Sequence, residues 1–277
     1  MSASDVSQAL SSGLVEPADL SKNRPLSSPQ EYIDQLFAGS DRDFLRSAIS
    51  REEGRFLAEL ASRPNVRNTV EVGCANGVSS IYICAGISAK QTPSHTAIDP
   101  FQTSHFQGRG VANVVKAGFP FFELIEQPSE IALPSLLSSG KSFDMAFIDG
   151  LHTADQTLLD FYYLDRLIPV GGIIALDDVN ARAVNKIAHY ISTYQNYRLI
   201  GTSGRRGAPR RALNLLKQIV AMAVWPLRKI AGEAAAREFF DISVLRPEHL
   251  WTFDFCTMVA FEKTREYARD TNWYRGI

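Results

Sequence analysis

The sequence predicts an α/β fold with a mostly parallel sheet and helices on both faces. Between residues 69 and 201, short apolar segments rich in β-branched residues alternate with segments of helical periodicity. Within this region, Pro169-Val170-Gly171-Gly172 is typical of a helix end that precedes a buried strand. Regular strand–helix alternation requires crossover connections, which produce parallel strands covered on both faces. The length of 277 residues suits one large domain with additions.

The segment before the first strand is predicted to be a helical extension. Residues 1–28 are rich in Ser, Ala and Pro without sustained periodicity, and we expect them to be poorly ordered or to lie on the surface. Apolar residues at helical spacing predict a short helix over 29–38 and one longer helix over 41–62. Residues 1–62 would then form an N-terminal extension on the substrate side.

The alternation itself predicts five strand–helix units and two further strands. The strands are expected over 69–72, 95–99, 121–126, 143–149 and 172–177, and the helices over 78–87, 110–117, 129–137, 154–167 and 181–193. A sixth strand is predicted at 197–201 and a seventh at 251–262. The sheet would therefore have seven strands, in a core made of residues 63–203 and 250–264, with an insertion over 204–249 and a tail over 265–277.

Composition excludes some classes of function. The net charge is −1, whereas nucleic-acid partners usually require a basic surface, so no nucleic acid is expected. The three cysteines are odd in number and lack metal-binding spacing, which indicates a reducing compartment without a disulfide framework. No secretory signal pattern begins the chain, and no long uncharged apolar run occurs in it. We therefore expect a cytoplasmic protein.

The predicted insertion is basic and apolar. Residues 202–232 contain seven Lys and Arg residues and no acid, around an apolar helical segment that Pro226 interrupts. One interpretation is an interfacial helix, which would place residues 205–230 at a membrane surface near anionic lipid or a lipid-linked acceptor. The other is a lid or dimer contact with a buried apolar face, which suits a homodimer.

The most informative stretch is the turn after the first predicted strand, Glu71-Val72-Gly73-Cys74-Ala75-Asn76-Gly77. Gly73 and Gly77 bracket a loop in which the backbone is expected to pass close to another group. Ser79 then falls in the first helical turn, where free N–H groups favour an anion. The spacing is neither G-x-G-x-x-G nor a P-loop, so it predicts a different nucleotide-type loop.

Polar residues after the second and third strands extend this site. Asp99 ends the second strand, before Pro100, where a carboxylate can accept hydrogen bonds from a ribose diol. The alternative is a solvated turn acid. Ser129 and Glu130 follow the third strand, where they can meet the edge of an adenine ring or simply cap the next helix.

Three carboxylates follow the fourth and fifth strands. Asp149 ends one, and Asp177 and Asp178 end the other. Because parallel strands end at the same edge, these groups should converge, and a divalent cation such as Mg²⁺, Mn²⁺ or Ca²⁺ would relieve their repulsion. In the alternative interpretation Asp177 caps the next helix, Asp178 is solvated, and Asp149 merely lies near the ligand.

His152 is the candidate general base. It lies three residues after Asp149, where a neutral imidazole can take a proton from a substrate hydroxyl. A surface or hydrogen-bonding role is the alternative. His105, in the loop after Asp99, fits a lid or packing residue better.

As a set, these motifs resemble the class I S-adenosylmethionine (SAM) dependent methyltransferases, in particular methyltransferase family 24. The resemblance covers about residues 45–200 and rests on four motifs: residues 71–77, Ile98-Asp99-Pro100-Phe101-Gln102, Phe147-Ile148-Asp149-Gly150-Leu151-His152, and Gly171 to Asp178. It implies a Rossmann-like fold and SAM bound at the loop, with Asp149 near the sulfonium. The implied cofactor contacts are Glu71, Gly73, Cys74, Ala75, Asn76, Gly77, Ser79, Asp99, Pro100, Ser129, Glu130 and Asp149.

Asp149, Asp177 and Asp178 also resemble the metal ligands of catechol-type O-methyltransferases, although that group usually has Asn at the position of Asp178. The resemblance implies in-line methyl transfer to an oxygen, with His152 and Asp149 as the catalytic residues. The acceptor would be a small-molecule or sugar hydroxyl. The alternatives are an NAD-type oxidoreductase, which the acidic edge and the missing G-x-G-x-x-G disfavour, and a SAM-binding protein without catalysis.

Overall fold

A seven-stranded sheet forms the centre of the molecule. The computed structural model describes residues 28–39, 42–203, 253 and 256–266. The strands are β1 (Asn68–Val72), β2 (Ser94–Ile98), β3 (Phe122–Ile125), β4 (Met145–Ile148), β5 (Ile173–Leu176), β6 (Tyr197–Ser203) and β7 (Met258–Lys263). Their order is β3-β2-β1-β4-β5-β7-β6. The first five strands are parallel, and β7 is antiparallel to both of its neighbours. The predicted α/β fold is therefore confirmed.

The helices of the described residues alternate with these strands. They are α1 (Pro29–Ala38), α2 (Arg42–Arg46), α3 (Arg51–Ala61), α4 (Val78–Ile87), α5 (Arg109–Lys116), α6 (Ser129–Ser138), α7 (Ala154–Leu167) and α8 (Arg182–Ser192). From β1 to α8 each predicted element exists within one or two residues of its expected bounds. Three of the ten residues of α6 are buried, compared with eight of the ten residues of α4.

The predicted single helix over 41–62 is wrong, because two helices occupy this region. Between α2 and α3, Ser50 starts a new helix through a capping box: its side chain accepts a hydrogen bond from the Glu53 N–H, and the Glu53 carboxylate accepts one from the Ser50 N–H. Such a reciprocal pair satisfies two donors that a helix start leaves free. The chain therefore bends at residues 47–50 instead of continuing as one helix.

The two faces of the sheet are covered by separate hydrophobic clusters. Helices α6, α7 and α8 supply one cluster, with Leu133, Phe161 and Ile187 among its buried members. Helices α1 to α5 supply the other, with Leu57 and Ile81. The prediction of helices on both faces is confirmed.

The last strand returns to the sheet after the insertion. Strand β7 begins later than expected, at Met258, and pairs with both β5 and β6. Residues 1–27 of the predicted extension, the insertion over 204–249 with its interfacial segment 205–230, residue 250 and residues 267–277 of the predicted tail lie outside the described residues. Within the part of the chain that is described, no helix has the length and apolar character needed to cross a bilayer.

Candidate active site

The register of the parallel strands brings four sequence-predicted residues into one row. Val72 pairs with Ile98 on one side and Ile148 on the other, and Ile148 pairs with Leu176. The next residue of each strand is therefore Gly73, Asp99, Asp149 or Asp177. Backbone hydrogen bonds continue the ladder by one step, since the N–H of Gly73, Asp149 and Asp177 donate to Ile98, Val72 and Ile148. The carboxyl edge of the sheet thus carries the residues that the motifs predict.

A cavity of about 610 Å³ lies above this row. Ten of the predicted site residues line it: Gly73, Ala75, Asp99, Pro100, Ser129, Glu130, Asp149, His152, Asp177 and Asp178. The predicted contacts Glu71, Cys74, Asn76, Gly77 and Ser79 are not among the lining residues. The strands thus bring two thirds of the predicted set to one cavity, and the other five residues do not line it.

Gly73 is needed because the chain itself passes close to it. Its φ is +91°, and a Cβ added there would lie 2.1 Å from the backbone oxygen of Asp149. Gly77 has φ +77°, and its Cβ would lie 2.6 Å from the Gly110 oxygen. Both are conformations that L side chains avoid. The close neighbour expected from the glycine spacing is therefore backbone of the same chain, which packs the loop directly against the end of β4.

Asp99 organises the loop that precedes α4. Its Oδ2 accepts hydrogen bonds from the N–H of Cys74 at 3.1 Å and of Ala75 at 2.8 Å, and also from the Gln102 side chain. Its Oδ1 accepts one from the Phe101 N–H at 2.8 Å. The side chain is buried but still lines the cavity. Oδ1 therefore retains a lone pair, and a contact to a ribose diol stays a prediction.

Behind the loop, Glu71 belongs to a buried polar network. The Ser80 hydroxyl donates to the Glu71 carboxylate, and His95 Nε2 lies 3.5 Å from Glu71 Oε1. The other ring nitrogen of His95 is 2.8 Å from the Thr69 hydroxyl. Glu71, Ser80 and His95 are fully buried. This network supports the loop from the core side.

The predicted adenine end of the site contains an additional acid. The Ser129 hydroxyl donates to Asp160 Oδ1 at 2.6 Å, and the Gln156 amide donates to the Ser129 oxygen at 2.8 Å. Asp160 is fully buried, and burial raises its pKa from 3.8 to about 6. Ser129 is therefore held in one orientation by two residues of α7.

The catalytic candidates converge at the other end of the cavity. His152 Nε2 lies 3.4 Å from Asp149 Oδ1 and 3.2 Å from Asp178 Oδ2. Burial raises the pKa of Asp149 to about 6, and the hydrogen bond to Asp149 raises the pKa of His152 above 6.5. Asp178 has φ +49°, in the left-handed region, and this unusual backbone accompanies the approach of its side chain to His152. An imidazole between two carboxylates is a stronger base than a free one.

The same three side chains have the composition of a cation site. Among the described residues, ligand atoms of Asp149, His152 and Asp178 all lie within 4.8 Å of one another. The expected trio contained Asp177 in place of His152, and the structure does not bring Asp177 into this group. Two carboxylates and an imidazole, partly open to solvent, are a donor set that divalent cations accept.

Asp177 instead lies deeper and faces other groups. Its Oδ1 accepts the Asp178 N–H at 2.8 Å, and only 7% of the residue is exposed. Burial, and next the charges of Asp149 and Glu53, raise its pKa well above 3.8. Glu53 also lines the cavity, and its carboxylate accepts a hydrogen bond from Thr257. A buried acidic pair thus borders the cavity beside the cluster of Asp149, His152 and Asp178.

Sequence reasoning missed several residues of the site. The additional lining residues are Arg46, Ser47, Ala48, Ile49, Glu53, Val72, Ile98, Phe101, Phe106, Pro128, Gly150, Leu151, Gln156 and Thr257. The pattern Ser50-x-x-Glu53 is a capping-box signature and could have predicted the bend that brings 46–49 to the cavity. Gln156 and Asp160 carry no local signal, since their role depends on contact between two helices.

The chain is similar to known methyltransferases over the region that carries this site. The family model described as "Methyltransferase domain", of methyltransferase family 24, matches residues 70–179. Catechol O-methyltransferase of Mycobacterium tuberculosis is 26% identical over 202 residues, which cover 66% of this chain and 86% of that protein. Caffeoyl-CoA O-methyltransferase of Populus kitakamiensis is 31% identical over 136 residues, or 47% of this chain and 54% of that protein. The match thus spans most of the mycobacterial relative but only about half the length of the plant one.

Solved structures match over a similar share of the chain. The O-methyltransferase of Bacillus cereus in complex with S-adenosylhomocysteine (SAH) has a TM-score of 0.53 at 17% identity, covering 71% of this chain and 89% of that one. The O-methyltransferase TomG of Streptomyces achromogenes, in complex with SAM, has a TM-score of 0.50 at 20% identity, covering 71% and 87%. At these identities the likeness is one of fold.

Proposed function

We propose that the chain is a class I SAM-dependent methyltransferase that methylates a hydroxyl oxygen of a small-molecule acceptor. The observation that carries this proposal is the cluster of Asp149, His152 and Asp178 at the end of the cavity that begins at the Gly73 loop. The printed names of the relatives, catechol and caffeoyl-CoA O-methyltransferases, support oxygen as the atom that is methylated.

The lining residues suggest where the cofactor binds. We assign the methionine part of SAM to Gly73 and Ala75, the ribose to Asp99, and the adenine to Ser129 and Glu130. Asp149 would then lie near the sulfonium. The acceptor would occupy the part of the cavity bordered by 46–49, where the bend between α2 and α3 supplies a wall.

We propose that the cluster of Asp149, His152 and Asp178 removes the proton of the acceptor hydroxyl. Methyl transfer from a sulfonium is an in-line displacement: the acceptor oxygen forms a bond to the methyl carbon, the carbon–sulfur bond breaks, and the sulfur leaves as the neutral thioether SAH. The acceptor's proton must leave as the new bond forms. We assign its removal to the imidazole of His152, because Asp149 and Asp178, which both lie near Nε2, stabilise the imidazolium that results.

A divalent cation fits the same donor set. Asp149, His152 and Asp178 would hold it, and the chemistry that it would supply is a lowered pKa of a bound acceptor hydroxyl. The partial exposure of His152 and Asp178 leaves room for an acceptor. Removal of metal therefore distinguishes the two ways in which this cluster can act.

Methyl transfer to a panel of catechols and other hydroxyl compounds tests the proposal. With His152→Ala we expect kcat to fall about 100-fold or more, because the general base is lost. His105→Ala is the matched control: His105 is exposed, contacts Phe106 and does not line the cavity, so its rate should stay near wild type.

Treatment with EDTA separates a metal-assisted reaction from one that uses His152 alone. Activity that is lost and then restored by Mg²⁺ or Mn²⁺ indicates a cation at the cluster. Unchanged activity indicates that His152 removes the acceptor's proton without a metal. An unchanged rate in His152→Ala would overturn its role as the base. Absence of methyl transfer to every hydroxyl, despite SAH binding, would favour a SAM-binding protein without catalysis.

The partners predicted for the insertion stay proposals of the same kind. A saccharide or lipid-linked acceptor, a membrane surface bound through 205–230 and a homodimer all depend on residues outside the described ones. Co-sedimentation with anionic vesicles, comparing the full chain with a 205–230 deletion that still binds SAH, tests the membrane contact. We expect equal sedimentation, which favours the lid or dimer interpretation.

A further inference from the structure

Four polar side chains form a compact hydrogen-bonding cluster at the predicted adenine end of the cavity. Ser129, Glu130 and Gln156 line the cavity, and Asp160 lies directly behind them. Ser129 and Glu130 belong to the start of α6, while Gln156 and Asp160 are one turn apart on α7. We name this group the α6–α7 polar cluster.

The hydrogen-bond donors of this cluster's side chains are all directed at protein acceptors. The single hydroxyl proton of Ser129 goes to Asp160 Oδ1 at 2.6 Å. The amide nitrogen of Gln156, with two protons, has three oxygens around it: Ser129 Oγ at 2.8 Å, Asp160 Oδ1 at 3.3 Å and Glu130 Oε2 at 3.4 Å. A Gln amide among three acceptors must present its nitrogen to them, which fixes its orientation.

What these side chains can still offer a ligand is therefore acceptor capacity. Ser129 Oγ has one lone pair left, and the Gln156 amide has its oxygen. The ligand group that fits these side chains is a hydrogen-bond donor. On the edge of a purine, a 6-amino group donates, whereas a 6-oxo group only accepts and would face oxygen lone pairs.

Asp160 is the residue that makes Ser129 an acceptor toward the cavity. It is fully buried, and its second oxygen, Oδ2, has no hydrogen-bond partner. A buried carboxylate with an unsatisfied oxygen is unfavourable for folding, so the packing of α6 on α7 does not by itself account for it. Its charge strengthens the hydrogen bond from Ser129, because a charged acceptor holds a donor more firmly than a neutral one.

We infer that Asp160 is a positioning residue for cofactor specificity: it keeps Ser129 as an acceptor, so that the α6–α7 polar cluster selects a 6-amino purine, as in SAM, over a 6-oxo purine. This inference rests on the proposed function, since it takes the cofactor to be SAM. It goes further by assigning the discrimination between adenine and hypoxanthine to a side chain that does not line the cavity.

Calorimetric titration at pH 8, where Asp160 is ionised, with SAH and with S-inosylhomocysteine tests the inference. We expect wild type to bind SAH about 10- to 100-fold more tightly, because a mispaired polar edge costs that much in a buried site. In Asp160→Ala the Ser129 hydroxyl is free to turn and donate, so the ratio should fall to within about threefold. Asp160→Asn keeps an oxygen opposite Ser129 and should retain the wild-type ratio.

Two further variants keep the test decisive. Ser129→Ala removes the acceptor without removing the buried acid, and should lose the preference even if Asp160→Ala does not fold. Asp165→Asn is the matched control on the same helix: Asp165 accepts the Tyr197 hydroxyl at 2.8 Å and does not line the cavity. Its binding ratio should equal that of wild type.

The outcomes also separate this inference from the proposed function. If wild type does not bind SAH, the proposed function fails and the inference fails with it. If wild type binds SAH and S-inosylhomocysteine equally, or if Ser129→Ala retains the full preference, only the inference is overturned.

Discussion

At the scale of the residue, Asp160 makes the stability of the protein depend on pH. Burial raises its pKa to about 6, from 3.8. Between these values the folded state binds more protons than the unfolded state, so the free energy of unfolding falls as pH rises from about 4 to about 6. For Asp160 alone the difference is up to about 3 kcal/mol, from 1.36 kcal/mol per pKa unit.

Asp160→Asn should reduce this slope, since Asn fills the same space without a charge. Denaturant unfolding at pH 4.5 and pH 7 measures it. Asp149 and Asp177, with pKa values also raised by burial, give the wild type additional slope of the same sign, so the comparison between variant and wild type isolates Asp160. Asp155→Asn on the same helix is a control of opposite sign, because a hydrogen bond from Thr153 lowers the pKa of Asp155. Equal slopes in Asp160→Asn and wild type would contradict the prediction.

Single residues also decide the composition of the cluster of Asp149, His152 and Asp178. His152 was expected near Asp149 from a spacing of three residues, and the structure places the two 3.4 Å apart. Asp178 joins them because its backbone adopts a left-handed φ, which no feature of the sequence around it requires. Asp177, one residue earlier, lies deeper, where burial and the charges of Asp149 and Glu53 raise its pKa. Neighbours in sequence thus serve different parts of the cavity.

At the scale of the element, the packing of α3 on α4 fixes one wall of the site. A Cβ at Gly86 would lie 2.7 Å from the Ala58 oxygen and 2.7 Å from the Ala61 Cβ. A side chain at this position must push the two helices apart. The close approach matters because α3 carries Glu53, which lines the cavity, and α4 follows the Gly73 loop.

Gly86→Ala should therefore destabilise the protein by about 1–3 kcal/mol, as overpacking does, although Ala in a helix is normally favoured over Gly by about 1 kcal/mol. Thermal unfolding checks the sign. Gly39→Ala is the matched control, since Gly39 has a φ of −93° and its Cβ would make an ordinary 3.5 Å contact. A rise in Tm for Gly86→Ala would refute the packing argument.

The break between α2 and α3 is the main difference between expectation and structure among the elements. Helical periodicity continues across residues 47–50, so the pattern predicts one helix. The reciprocal hydrogen bonds of Ser50 and Glu53 start a new helix in spite of it. As a result residues 47–50 leave helical geometry, and 47–49 line the cavity together with Arg46 at the end of α2.

At the scale of the whole molecule, cofactor binding should stabilise the fold. A ligand at 100 times its Kd contributes about 2.7 kcal/mol, and a chain of this size shifts by about 2–4 °C per kcal/mol. We therefore expect SAH to raise Tm by about 5–10 °C. NAD is the matched control, because it shares the adenosine part but carries a pyrophosphate in place of the methionine chain, and it should leave Tm unchanged.

Differential scanning calorimetry with both ligands measures the two shifts. A rise in Tm with NAD and none with SAH would support the NAD-type oxidoreductase instead. The fold alone does not decide between these cofactors, since both bind at the carboxyl edge of parallel sheets. The decision comes from the Gly73 loop and the acidic row beside it.

The sequence by itself determined the strands, the order of the strand–helix units and the edge at which the motifs meet. These follow from local periodicity and from the rule that parallel strands end together, so Gly73, Asp99, Asp149 and Asp177 could be placed in one row before any coordinates were known. The spacing of the loop glycines likewise predicted a close approach of the backbone, and the structure identifies the neighbours as the backbone oxygens of Asp149 and Gly110.

Only the tertiary structure decided which of these side chains act together. It directed the Asp99 carboxylate to N–H groups of the loop, grouped the ligand atoms of His152 with those of Asp149 and Asp178, and brought Gln156 and Asp160 to Ser129. Each of these contacts joins residues on different segments or depends on one backbone angle or side-chain rotamer. Local periodicity does not encode such distances, because they are set by how the helices and loops pack on the sheet.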